Sequence, residues 1–148
     1  MEIKDVLKLE NIKIIDEKLH WKDAIHKACE DLIRGGFVTE DYPQGIIDNT
    51  LELGPYYVLV EDLAFLHARP EQGALENQMA ITVNKEVVEF SEDESHNARL
   101  LLTLAAKDSE EHLEVMRVLA ELFSNEEKIQ KIVDAHSPEE VYDLMMDE

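Results

Sequence analysis

Apolar positions along this chain alternate between two periods, and the changes of period mark out its elements. Trp21, Ala24, Ile25, Ala28, Leu32 and Ile33 recur at helical spacing, and Gly35-Gly36 follows as a helix stop, because glycine enters a left-handed cap without strain. A second helix is expected from about Thr39, with Pro43 tolerated in its first turn and Tyr42, Ile46, Ile47, Thr50 and Leu51 facing inward. Gly54-Pro55 ends it. The pattern then shortens. Residues Tyr56 to Val60, Leu63 to Leu66 and Met79 to Val83 are brief runs of aromatic and branched residues, which suits strands. Asn84-Lys85 reads as a hairpin turn into a further strand, Val87 to Phe90. Leu100 to Ala106 is apolar except for Thr103, as expected of a central strand covered on both faces.

The helical period returns near the carboxyl end. Ser109 is placed to cap a helix carrying Leu113, Met116, Leu119, Ala120 and Phe123 on one stripe, and Asn125 to open another with Ile129, Ile132 and Val133. In Ser137-Pro138-Glu139-Glu140, the serine and the glutamate three residues on can each satisfy a free amide, and proline suits the first helical position. Helices first, short strands next and helices last predict an α/β domain with a mixed central sheet, flanked by helices on both faces as three layers. The connection at Asn84 is too short for a parallel crossover, which is why the sheet is expected to be mixed. No linker, low-complexity stretch or repeat divides residues 1–148, so one domain is expected.

Charge narrows the partners. The 148 residues carry 14 Lys and Arg against 34 Asp and Glu, a net charge of −20 that would repel a phosphate backbone, so nucleic acid is not an expected partner. The same field would speed encounter with a basic protein and keep the domain soluble. No apolar run approaches the roughly 18 residues of a membrane span, so no direct membrane insertion is expected. A single cysteine, Cys29, excludes an internal disulfide, and the opening Met1-Glu2-Ile3-Lys4-Asp5 lacks the basic and apolar parts of a signal peptide; both point to the cytoplasm.

Candidate chemistry centres on histidine. Of the six, His26 lies beside the apolar stripe of the first helix and His136 just before the Ser137 cap, both places for structural roles. His67 instead closes the strand Leu63–Leu66 and opens the loop Ala68-Arg69-Pro70-Glu71-Gln72-Gly73, where α/β proteins tend to carry reactive groups. A neutral imidazole is a competent nucleophile near pH 7, Arg69 offers a planar fork to phosphate oxygens, and Pro70 restricts the loop. By position alone His67 also reads as an ordinary hydrogen-bonded loop histidine. His112 falls in the first turn after the Ser109 cap, where the helix dipole disfavours imidazolium, although Glu110 and Glu111 oppose this. It too reads as a capping-turn histidine without function. A metal site built from His67 and His112 stays open, but neither has a partner at the usual helical metal spacing. Cys29, inside a helix, reads as a buried small hydrophobe.

The runs Gly54-Pro55-Tyr56-Tyr57-Val58, Leu63-Ala64-Phe65-Leu66-His67-Ala68-Arg69-Pro70-Glu71 and Val87-Val88-Glu89-Phe90, in that order, resemble the mannitol and fructose class of enzyme IIA domains of the bacterial sugar phosphotransferase system (PTS). The similarity extends over nearly the whole chain, and Arg69-Pro70-Glu71 with Gly73 looks most like the ascorbate-type branch. The resemblance implies a phosphotransferase component in which His67 accepts a phosphoryl group from the carrier protein HPr and passes it to a IIB component, while a membrane IIC permease moves the sugar. It implies a phosphohistidine intermediate and no cofactor or metal. His112, in Asp108-Ser109-Glu110-Glu111-His112-Leu113, matches a second histidine lying beside the acceptor in the family, placed to orient it or to hydrogen-bond the phosphoryl group. Arg69 is expected to bind phosphoryl oxygens.

Two departures stand out. The family usually reads Pro-His-Gly at the acceptor, whereas Leu66 and Ala68 flank His67 here, and alanine takes left-handed backbone angles at a cost. Mannitol-type members carry an arginine on the preceding helix where this chain has Asn49. The second is tolerable if Arg69 does that arginine's work, whereas Leu66 and Ala68 leave room for a regulatory or degenerate relative that binds a partner and relays nothing; a small-molecule or metal-binding module that shares only the fold is a further alternative.

Overall fold

The computed structural model describes residues 2–147. Its elements run α1 (Ile3–Val6), β1 (Leu7–Ile15), α2 (Trp21–Arg34), α3 (Tyr42–Leu53), β2 (Asp62–Leu66), β3 (Gln78–Glu89), β4 (Asn97–Ala105), α4 (Ser109–Leu122), α5 (Glu126–Val133) and α6 (Pro138–Met146). The four strands form one sheet in the order β1-β3-β4-β2. β1 runs parallel to β3 and β2 parallel to β4, while the central pair β3 and β4 is antiparallel. The sheet is therefore mixed, as expected.

Both faces are covered. Thr103 reaches one face, where its hydroxyl donates to the Ala28 carbonyl of α2 at 3.1 Å. Phe65 pairs across the ladder with Leu102, so it points the other way, and its ring meets Phe123 at the end of α4 with centroids 6.0 Å apart. The strand segments between these layers are almost wholly buried: Leu100, Leu101, Leu102, Ile81 and Met79 contribute apolar side chains to a continuous core. Burial at roughly 25 cal/mol per Å² makes this the main source of stability.

α2 follows the expected stripe, with Ala24, Ile25, Ala28 and Leu32 inward; Gly36, at φ 79°, takes the left-handed position just beyond it. α5 starts at an Asn125 cap and buries Ile129, Ile132 and Val133. At α6, Ser137 accepts from the Glu140 amide as expected, but the Glu140 carboxylate reaches one residue further back, to the His136 amide.

Several expectations are corrected. β1 has no counterpart in the sequence reading. Leu7 and Leu9 alternate in one phase and Ile12 and Ile14 in the other, and the break coincides with a register shift between Leu7 and Ile12. Residues Tyr56 to Val60 are not a strand: the Tyr56 amide bonds to Gly54 and that of Val58 to Pro55, and the run serves to bury the Tyr57 ring against Phe90. There is no hairpin at Asn84. Buried Asn84 exchanges hydrogen bonds with the Glu17 backbone and accepts from the Glu86 amide, so β3 bends through a bulge and continues to Glu89. The antiparallel connection comes one segment later, between β3 and β4. α3 starts at Tyr42, with Asp41 at its cap, and leaves Leu51 65% exposed. α4 is capped by Asp108, whose carboxylate accepts from Glu111, with Ser109 as its first helical residue. Its buried positions are Val115 and Leu119, with Phe123 closing the stripe; Ala120 faces solvent and Leu113 is 70% exposed.

Candidate active site

Because β2 and β4 are parallel neighbours, with Leu66 opposite Thr103, the chain leaves both strands at the same edge of the sheet. One exit delivers His67, and the other delivers the first turn of α4 with His112. Ligands in open α/β sheets gather at such carboxyl ends. Asn77, just before β3, pins the second exit: its amide group donates to Glu111 at 2.6 Å, and its oxygen accepts from the Lys107 amide at 2.9 Å.

The two histidine rings lie 5.0 Å apart, centroid to centroid, inclined at 49°. Nδ1 of His67 sits 2.6 Å from the Phe65 carbonyl oxygen. A carbonyl can only accept, so Nδ1 carries the proton, and Nε2 is left with its lone pair. Burial pushes the His67 pKa below 6.5; the Phe65 carbonyl opposes this in part and the neighbouring His112 adds to it. Burial lowers His112 as well. Two neutral imidazoles therefore face each other near pH 7. The His112 amide is spent on the Asp108 carbonyl, so it is the ring that is available to the site.

The main chain around His67 is fastened from three directions. The Tyr56 hydroxyl donates to the His67 carbonyl, and its ring meets the imidazole edge to face at 5.2 Å. The buried Tyr42 hydroxyl accepts from the Ala68 amide at 3.1 Å and donates to the Leu104 carbonyl of β4 at 2.6 Å, so one side chain joins the loop to the central sheet. Beyond it, the Arg69 amide donates to Oε1 of Gln72 at 2.8 Å. The Arg69 guanidinium is exposed and bonds to Glu71 at 3.0 Å.

A cleft of about 430 Å³ opens here, bounded by Asn49, Leu53, Tyr56, Arg69, His112 and Leu113, with His67 at its wall. Leu53 and Leu113, 64% and 70% exposed, form an apolar rim. A larger groove of about 840 Å³ lies away from the histidines, between α1, α4 and α6. Sequence reasoning identified His67, His112 and Arg69, and all three line the cleft. It overlooked Gln72 and took Tyr56 as a strand residue. The usable signal was the choice of tyrosine over phenylalanine, since even a half-buried hydroxyl seeks a partner.

The remaining candidates stand apart. His26 and His136 are exposed. Cys29 is fully buried and its thiol is pushed up to about 12 by burial, which fits a small hydrophobe. Among the described residues no three His, Cys, Asp or Glu side chains cluster as a metal site. No helix among them is long and apolar enough to cross a membrane.

The family model described as "Phosphoenolpyruvate-dependent sugar phosphotransferase system, EIIA 2" matches residues 5–148. The chain belongs to this family. Among its relatives, the mannitol-specific cryptic phosphotransferase enzyme IIA component of Escherichia coli (strain K12) is 32% identical over 145 residues, covering 98% of each chain. The ascorbate-specific PTS system EIIA component of the same strain is 30% identical over 147 residues, 98% of this chain and 96% of its own. The solution structure of the mannitol-specific cryptic enzyme IIA from Escherichia coli superposes with a TM-score of 0.89 at 31% identity, covering 99% of both chains. The enzyme IIA of the mannitol system, solved in complex with phosphorylated enzyme IIB from Escherichia coli, gives 0.82 at 30% identity, over 95% of this chain and 98% of that one.

The two departures from the EIIA pattern around His67 have clear positions in the fold. Among the described residues Asp62, which is held by a two-bonded Arg99 fork, is the one non-glycine residue with positive φ, so Ala68 sits in ordinary backbone and needs no glycine. Leu66 is fully buried within β2. Asn49, 6% exposed, faces Gln72 on the loop that follows His67.

Proposed function

We propose that this EIIA-family chain is a cytoplasmic phosphoryl carrier that accepts a phosphoryl group on Nε2 of His67 from phospho-HPr and passes it to a IIB component, coupled through a membrane IIC permease to sugar uptake. The observation that carries the reading is the bond from His67 Nδ1 to the Phe65 carbonyl, which commits one ring nitrogen and leaves the other as nucleophile beside His112. The solved complex of the related mannitol IIA with phosphorylated IIB supports a IIB component as the onward partner.

In this mechanism the Nε2 lone pair attacks phosphorus in line as the bond between phosphorus and the donor's ring nitrogen breaks, and that nitrogen recovers its electron pair. The phosphorylated ring carries positive charge, which the Phe65 carbonyl stabilises through the Nδ1 proton; no proton has to leave. Neutral His112 donates a ring N–H to a phosphoryl oxygen, and Arg69 exchanges Glu71 for a second oxygen. Attack by a IIB cysteine thiolate then breaks the new P–N bond and restores the lone pair. Leu53 and Leu113 form the rim that a docking partner would cover.

Intact mass after incubation with phosphoenolpyruvate, enzyme I and HPr tests the reading. Native protein gains one acid-labile phosphoryl mass, His67→Ala gains none, and added IIB discharges the label. A folded native protein that stays unlabelled beside an active donor, or a label that survives His67→Ala, overturns the proposal.

A further inference from the structure

The relay reading assigns no work to Asn49, yet this side chain joins the supports on both sides of His67. Its Nδ2 donates to Gln72 Oε1 at 2.8 Å, and Gln72 Nε2 donates back to Asn49 Oδ1 at 3.1 Å, a closed pair of amides between α3 and the acceptor loop. The same Gln72 oxygen accepts the Arg69 amide. Asn49 and Tyr56 also line the cleft together, and burial raises the pKa of the Tyr56 hydroxyl, a rise that Asn49 and Arg69 oppose. That hydroxyl in turn holds the His67 carbonyl.

The surroundings are shaped to let the amides meet. A Cβ on Gly45, one turn earlier on α3, would come within 3.2 Å of Gln72 Cβ and 3.3 Å of its Nε2. Gly73, which ends the loop, has φ 130°, and a Cβ there would lie 2.4 Å from the Thr39 hydroxyl. The Thr39 amide donates to the Gly73 carbonyl at 2.9 Å. The loop is thus laid directly onto α3, and the amide pair adds two side-chain bonds to the backbone bond that holds its end.

We propose that Asn49 and Gln72 act as one positioning unit for phosphoryl transfer, setting the peptides that follow His67 and, through Tyr56, the His67 carbonyl, so that Nε2 meets phosphorus in line. This rests on the relay reading above. Asn49 is a positioning residue and touches no reacting atom. An asparagine suits the task because it donates and accepts at once: aspartate would lose the donor, and a long cation would displace Gln72 from Arg69. In-line transfer is sensitive to such placement, and misplacement by about 1 Å can cost on the order of 10²-fold in rate.

Stopped phosphoryl transfer from phospho-HPr to native protein, Asn49→Ala, Gln72→Ala and the double variant tests this, with Thr50→Val as control. Thr50 is the next residue on α3, and its buried hydroxyl pairs with Tyr57 outside the cleft, so its loss weakens the helix without touching the amide pair. Each single variant should transfer roughly 10- to 100-fold more slowly at unchanged KM for the donor, and the double no more slowly than either single, as for residues that act as a unit. The Arg69 amide should exchange its hydrogen faster in both single variants. Thr50→Val should transfer at the native rate despite a lower melting temperature. Native transfer by Gln72→Ala, effects that multiply in the double, or a Thr50→Val loss equal to that of Asn49→Ala would each sink the positioning unit while leaving the relay intact. A native protein that takes no phosphoryl group overturns the relay and the positioning unit together.

Discussion

The imidazoles of His67 and His112 stand 5.0 Å apart at 49°, one carried on the end of β2 and the other in the first turn of α4. Neither ring is positioned by the other; the parallel pairing of β2 with β4 brings both exits to one edge. His112 is therefore removable without moving His67. His112→Ala should still be phosphorylated on His67, at a rate lower by about 10²-fold, the usual loss for one preorganised donor to a charged oxygen. His112→Gln, which keeps an N–H donor, should recover part of that loss. Rapid-quench labelling of the three proteins measures it, and equal rates would remove His112 from the chemistry.

The lowered pKa values of both rings set a pH dependence. With the neutral His67 ring as the proposed nucleophile, the labelling rate with preformed donor should stay flat down through neutral pH and fall only below 6.5. Stability moves in the same direction. The unfolded chain has ordinary histidines and binds protons at higher pH than the folded one, so stability falls as pH drops through about 6.5 toward the folded values. Above that range both states are neutral and the contribution vanishes. An NMR titration of the His67 ring should give a midpoint under 6.5, and the loss of stability on acidification should be smaller in His67→Ala. A His67 midpoint above 6.5 would contradict the burial argument.

Legibility from sequence differed by kind of element. α2, α5 and α6 were readable because cap, stripe and stop agree locally: Gly35-Gly36 after Arg34, Asn125 before Ile129, Ser137-Pro138 before Val141. β1 was not, because its alternation changes phase at a bulge that only the partner strand defines. The supposed turn at Asn84 failed for a related reason. An asparagine that looks like turn chemistry is buried and bonded to Glu17, a residue distant in sequence. At the site, His67, His112 and Arg69 were legible as residue types at plausible positions. Their supports were not, since Tyr42 to Ala68 and Asn49 to Gln72 are contacts between elements that no local pattern encodes.

Tyr42 is the support whose removal is easiest to interpret. Tyr42→Phe keeps the ring in the core and deletes one oxygen, which strands the Ala68 amide and the Leu104 carbonyl together. Buried unpaired groups cost about 1–3 kcal/mol, so chemical denaturation should show a loss in that range with an unchanged denaturant slope. Transfer from phospho-HPr should slow as well, because the peptide after His67 loses its tie to β4. A variant as stable as the native protein would mean that water or a shifted loop replaces the hydroxyl.

Ala68 gives the sharpest separation between resemblance and geometry. The resemblance implies glycine after the histidine, which invites the expectation that Ala68→Gly would improve the proposed relay. The structure argues the reverse. Ala68 has no positive φ, its methyl group is buried, and its amide is already held by Tyr42. Glycine would gain no accessible geometry, would lose the buried methyl, and would add conformational freedom to the unfolded chain, together a destabilisation of about 0.5–1.5 kcal/mol. The labelling rate should be unchanged or lower, since a freer loop holds Nε2 in line for less of the time. Faster transfer by Ala68→Gly than by native protein, at equal donor concentration, would show that the loop must pass through a left-handed conformation during the reaction and that the resting backbone at Ala68 impedes it.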